Sequence, residues 1–100
     1  ITLQRTKMNQ VKTQINEEIL AANAAISAAE EQLEIAVEGF SLARKALEQS
    51  IKRQQLGTVR PFEILQAQEI YIQARLDYIQ SVADYNQAQY ALKVARGDNL

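Results

Sequence analysis

The chain has 100 residues, 47% of them hydrophobic and 23% charged, with a formal net charge of -1. This size suits one domain, and the composition is that of a folded chain far from the disordered extreme. The near-neutral balance gives no electrostatic basis for binding nucleic acid or an anionic membrane. The lack of cysteine excludes disulfides and thiolate metal sites, and the lack of histidine removes the commonest general base and metal ligand.

The chain begins Ile1-Thr2-Leu3, without an initiator methionine, a charged leader region or an apolar leader core, so it is expected to be part of something longer. Helical spacing then runs from about Leu3 to Gln55. Apolar residues recur in steps of three and four at Met8, Val11, Ile15, Ile19, Ala22, Ile26 and onward to Leu47. From Ala22 the pattern is a strict heptad. Ala22, Ala29, Ala36 and Ala43 hold one seam position, and Ile26, Leu33, Phe40 and Leu47 hold the other, as a left-handed coiled coil requires. Gly39 is the weak helix former inside this run, costing roughly 1 kcal/mol relative to alanine. The most apolar stretch, Ile19 to Ala29, is too short and too rich in alanine for a membrane span.

The pattern breaks at residues 56–60. Gly57 suits the left-handed residue just past a helix end, and Pro61 suits a first helical position. Glu63 falls in the first turn, where the helix dipole favours an anion. Arg60 is a poor N-cap, so Thr58 is the expected capping residue. A second helix spans about 61–96 and stops at Gly97-Asp98-Asn99.

Its seam reads Ile64, Tyr71, Tyr78, Tyr85, Leu92 at one position and Ala67, Ala74, Ser81, Ala88, Ala95 at the other. Folding about Gly57 places Ala43 beside Tyr71, Phe40 beside Ala74, Ala36 beside Tyr78, and Leu33 beside Ser81. Ala29 then meets Tyr85, Ile26 meets Ala88, Ala22 meets Leu92, and Ile19 meets Ala95. Large meets small in every layer, so volume per layer is constant and the helices approach closely. The expected fold is all-α, a long antiparallel coiled-coil hairpin over residues 1–100 with its tip at 56–60. The first helix outruns the second, leaving roughly its first 17 residues unpaired by this register.

The second helix carries another apolar stripe, Leu65, Ile72, Leu76, Ile79 and Ala83, continued by Tyr90 and Val94. At about 100° per residue it lies roughly 150° from the seam. The first helix likewise carries Ala21, Ala25, Ala28, Ile35, Leu42 and Ala46 beside its seam. Each helix thus asks for two neighbours. Between the stripes of the second helix lie two polar faces. One has Glu63, Gln66, Gln73, Asp77, Gln80, Asp84 and Gln87; the other has Gln68, Arg75, Asn86, Gln89 and Lys93. A four-helix bundle and a wall of side-by-side helices both satisfy this pattern. Exposed, the second stripe should make the chain pair with copies of itself, most simply as a twofold dimer.

No nucleophile–base pair, phosphate loop or metal constellation appears, and an enzyme is not expected. Glu17-Glu18 and Glu30-Glu31 point to different sides of a helix and read as solvated charges. The tyrosines at 71, 78 and 85 read as core, and Lys52, Arg53 and Arg60 form a modest basic cluster at the tip.

The order Leu56-Gly57-Thr58, Phe62-Glu63-Ile64-Leu65-Gln66-Ala67-Gln68, Ala74-Arg75-Leu76-Asp77-Tyr78, Asp84-Tyr85-Asn86-Gln87-Ala88, Leu92 and Ala95-Arg96-Gly97 resembles the TolC-like outer membrane efflux protein family. There, a Gly-Thr turn ends a long periplasmic helix, and the next helix opens with a Glu-Val-Leu-Asp-Ala-like stretch and finishes at Leu-x-x-Ala-x-Gly. The resemblance spans essentially the whole chain and is strongest from about Arg53 to Gly97.

What the resemblance implies is a periplasmic hairpin, the C-terminal one of two, from an outer-membrane channel of a Gram-negative-type cell. Such proteins are trimers whose hairpins form an α-barrel serving efflux or type I secretion. The tip Leu56, Gly57, Thr58 would meet a periplasmic adaptor protein. Glu63, Gln66, Gln73 and Asp77 would face the lumen, and Leu65, Ile72, Leu76, Ile79 and Ala83 would form the inter-hairpin interface. The resemblance favours the wall over the bundle. This sequence departs from the family at two places. Of two acidic residues lining the entrance in some members, only Glu63 is acidic here, Gln66 standing at the other position. The tyrosine–arginine gate of some members is replaced by Gln54 and Val59.

Two rivals stay open. A periplasmic adaptor hairpin has the same shape, but its tip places a leucine one turn after an arginine, and here Gly57 follows Arg53 at that spacing. A free-standing dimeric coiled-coil scaffold is the other.

Overall fold

The computed structural model describes residues 2–58 and 60–97. It is an all-α antiparallel hairpin of two helices, α1 (Thr2–Gln55, 54 residues) and α2 (Pro61–Arg96, 36 residues). Both spans agree with the sequence periodicity, α1 beginning one residue earlier. Two compact units make up the chain, Ile1–Glu30 with Asp84–Leu100 and Glu31–Ala83.

The unit Glu31–Ala83 contains the tip and the closest packing. Leu33, Ala36, Phe40 and Leu47 on α1 and Ala67, Tyr71, Ala74, Tyr78 and Ser81 on α2 are half-buried, while Ala43 and Ile64 are buried. These are the heptad seam residues. The Phe40 ring lies 5.5 Å from Tyr71, tilted at 40°, and 5.5 Å from Tyr78, stacked at 25°. Phe40 is thus bracketed by two tyrosines one heptad apart, as a residue level with Ala74 must be. Offset and tilted ring pairs at this distance are favourable beyond the area they bury.

In the unit Ile1–Glu30 with Asp84–Leu100, Ile19, Ala22, Ile26 and Ala29 are half-buried together with Tyr85, Ala88, Leu92 and Ala95. The Tyr85 hydroxyl donates to the Glu30 carboxylate at 3.3 Å, which keeps the same register. Residues 2–18 of α1 are helical and each is exposed, so the expected overhang is present. Within it Thr6 and Thr13 donate their hydroxyls to the carbonyls of Thr2 and Asn9 one turn back, at 3.0 and 2.9 Å.

The α1 terminus closes as a Schellman motif. Gly57, at φ +74°, donates its N–H to the Gln54 carbonyl at 2.9 Å, and Thr58 donates its N–H to Arg53 at 2.9 Å. A side chain is strained at that φ, which is why glycine stands there. The Thr58 hydroxyl also donates to the Arg53 carbonyl, at 3.1 Å. This corrects the expectation that Thr58 caps α2: its side chain serves the end of α1 instead. Arg60 takes the position before Pro61, and its carbonyl accepts the Glu63 N–H at 3.0 Å to start the first turn. Gly97, at φ +78°, ends α2 with a bond from its N–H to the Val94 carbonyl at 3.0 Å.

Candidate functional site

The seam leaves a second apolar surface uncovered. Leu65, Ile72, Leu76 and Ile79 are each between 53% and 58% exposed, although they are large aliphatic side chains in the middle of an ordered helix. Ala83 continues their line and is also exposed. Monomeric soluble proteins rarely display so long a contiguous apolar row. Stripes on nearly opposite sides of α2 leave that helix with little net amphipathicity, whereas α1 retains more. On α1 the counterparts Ile35 and Leu42 are 62% and 67% exposed, with exposed Ala46 following on the same side.

Glu63, Gln66, Gln73 and Asp77 are all exposed and share the polar face beside that stripe. Gln73 donates from Nε2 to Asp77 Oδ1 at 3.0 Å, one turn along the helix. Asp77 and Gln80 also border an open groove floored by Ala36, Phe40 and Ala74 and walled on α1 by Gln32, Ile35 and Gly39. Glu63 sits in the first turn of α2, where the dipole favours its charge.

At the tip, Leu56, Gly57 and Thr58 are exposed, and Leu56 is among the most exposed large hydrophobic residues of the chain. Lys52 and Arg53 in the last turn of α1 complement the helix dipole and, with exposed Arg60, make the tip basic. Val59, one of the two gate positions, lies outside the described residues. Gln54, the other, is exposed.

Sequence reasoning passed over Phe62 as a surface residue. It is 66% exposed and lies within the first turn of α2, so the tip presents Leu56 and Phe62 as apolar groups among basic ones. The signal was available: Phe62 is off the heptad that begins at Ile64. Gly39 was read only as a weak point, yet a methyl group built there meets nothing within 4 Å in its own chain. Among the described residues no cluster of acidic side chains could hold a metal, and no helix is long and apolar enough to cross a membrane. What these surfaces offer chemically is contact: an apolar row, a Gln- and Asp-bearing polar face, and a basic-apolar tip.

Compared with family models, with curated proteins and with solved structures, the chain finds no match.

Proposed function

We propose that this hairpin is a wall element of an α-helical tube, the periplasmic part of an outer-membrane channel protein for efflux or type I secretion. The observation that carries the reading is the row Leu65, Ile72, Leu76 and Ile79, more than half exposed on the side of α2 turned from its seam. A helix in a single layer of helices needs an apolar contact on each side and water on the two remaining faces. The alternation on α2 of apolar, acidic-polar, apolar and basic-polar faces supplies that. A bundle would instead make polar groups such as Gln73 and Asp77, both exposed here, compete for interior space.

In this reading Glu63, Gln66, Gln73 and Asp77 face the lumen. The tip of Leu56, Gly57 and Thr58 docks a periplasmic adaptor, the two basic side chains before it and Phe62 after it adding charge and grip. The role is structural and docking, without catalysis or a cofactor. The resemblance in the order and spacing of motifs from Arg53 to Gly97 supports the channel over the adaptor.

The complete reading frame tests this. Amphipathic membrane β-strands of about 9–11 residues on either side of the hairpin are the expected finding. Lipoyl-like β segments there would assign the adaptor, and a frame bounded near Ile1 and Leu100 would assign a free-standing scaffold.

A further inference from the structure

Two grooves of opposite chemistry flank Phe40, both within the unit Glu31–Ala83. The first, with a volume of about 370 Å³, runs over the Ala36, Phe40 and Ala74 floor. Asp77 is the one charged side chain lining it among the described residues. The second, of about 320 Å³, has Arg44 as its charged residue, beside Val37, Ser41 and Tyr78. The first volume falls at the low end of the range for sites that take small organic molecules.

Gly39 stands in the wall of the first groove. It is exposed and has an ordinary helical φ, and a methyl group built on it meets nothing within 4 Å. Nothing in the packing of the chain therefore requires glycine, although glycine weakens the middle of a helix. What its missing side chain does is leave the groove open. The Arg44 groove has no glycine and is shared with a long side chain of its own.

The lining selects a chemistry. The Asp77 carboxylate accepts from Gln73 Nε2 at 3.0 Å, which orients it without cancelling its charge. An anion is repelled there, and a neutral molecule gains nothing from the charge. A metal ion is also disfavoured, because no group of acidic side chains among the described residues could hold one. An organic cation with an apolar body uses both halves of the groove. Its body covers the apolar floor, its charge lies by the carboxylate, and the Phe40 ring attracts a cation through its π face.

We infer that the groove between Gly39 and Asp77 is a low-affinity site for amphipathic organic cations. Gly39 provides the opening, Phe40 the apolar floor and Asp77 the counter-charge. The site is built within one hairpin, so it does not depend on a second copy. The wall reading turns the Gln73–Asp77 face to the lumen, where such a site would meet passing cargo.

The native chain has no cysteine, so one introduced thiol reports on one place. Ser81→Cys marks the Asp77 groove and Ser41→Cys the Arg44 groove. Each full-length variant is alkylated with N-ethylmaleimide in the presence of tetraphenylphosphonium, or of tetraphenylborate, an anion of nearly the same size and shape. Tetraphenylphosphonium should slow alkylation of Ser81→Cys saturably and leave Ser41→Cys unaffected, while tetraphenylborate should not protect Ser81→Cys. Adding Asp77→Asn should weaken protection about threefold, the effect of losing one exposed charge partner. Adding Gly39→Leu should abolish protection with helicity retained, leucine being the better helix former. Absence of protection by the cation, equal protection by the anion, or equal protection of Ser41→Cys would overturn the site. So would protection that survives Gly39→Leu. None of these results bears on self-association, so the wall reading stands or falls separately.

Discussion

Replacing Phe40 with alanine removes the side chain that ties the centre of the hairpin together. Its ring makes two aromatic contacts at 5.5 Å, with Tyr71 and Tyr78, and it is half-buried in the layer with Ala74. Truncating an enclosed phenylalanine costs about 3–5 kcal/mol. Partial exposure moves this site to the lower end, and each lost ring pair accounts for about 0.5–1.5 kcal/mol of it. The expected loss is about 3 kcal/mol, a large share of the stability of so thin a fold. Phe40→Leu keeps most of the apolar volume and should cost about 1 kcal/mol. Leu20→Ala is the control: Leu20 is 68% exposed and off both stripes, so the change should stay within about 0.5 kcal/mol. Urea unfolding followed by helical ellipticity, at one fixed protein concentration, measures all three. A Phe40→Ala loss no larger than that of Leu20→Ala would refute the register argument at its best-determined layer.

Other outcomes follow from the same structure. Gly57→Ala should cost about 1 kcal/mol, because its φ of +74° strains any side chain, and urea midpoints will show it. Leu33→Ala should lose about 2 kcal/mol by the same assay, the low end of the range for a leucine that is half-buried. Amides within the exposed stretch 2–18 of α1 should exchange with deuterium much faster than that of Leu33 in the dissociated chain; equal protection would mean that the overhang has a partner within the chain.

Much of this architecture could be read from residues because its rule is one-dimensional. A heptad of Ala29, Ala36 and Ala43 facing Tyr85, Tyr78 and Tyr71 specifies both the partner stripe and the register, and Gly57 with Pro61 marks where the chain must reverse. The cap was harder. The hydroxyl of Thr58 can serve either helix end, and only the geometry of the turn decides that it donates to Arg53. Surface residues are harder to assign a role. Phe62 lies off the seam but three residues before Leu65 and two heptads before Leu76, so it falls on the line of the outer stripe, and its exposure follows the same periodicity. Gly39 reads as a defect until the empty space around it is seen beside the Ile35 and Leu42 side chains.

The account rests most heavily on the claim that the outer stripe of α2 is an interface. Sedimentation velocity of the unmodified chain at tens of micromolar, beside an Ile72→Glu/Ile79→Glu double variant, tests it directly. Tyr71 and Tyr78 on the seam are untouched by those changes, so the variant should remain helical and sediment as a monomer while the unmodified chain associates. Monomers from both proteins would contradict the claim, and so would association that survives the two charges.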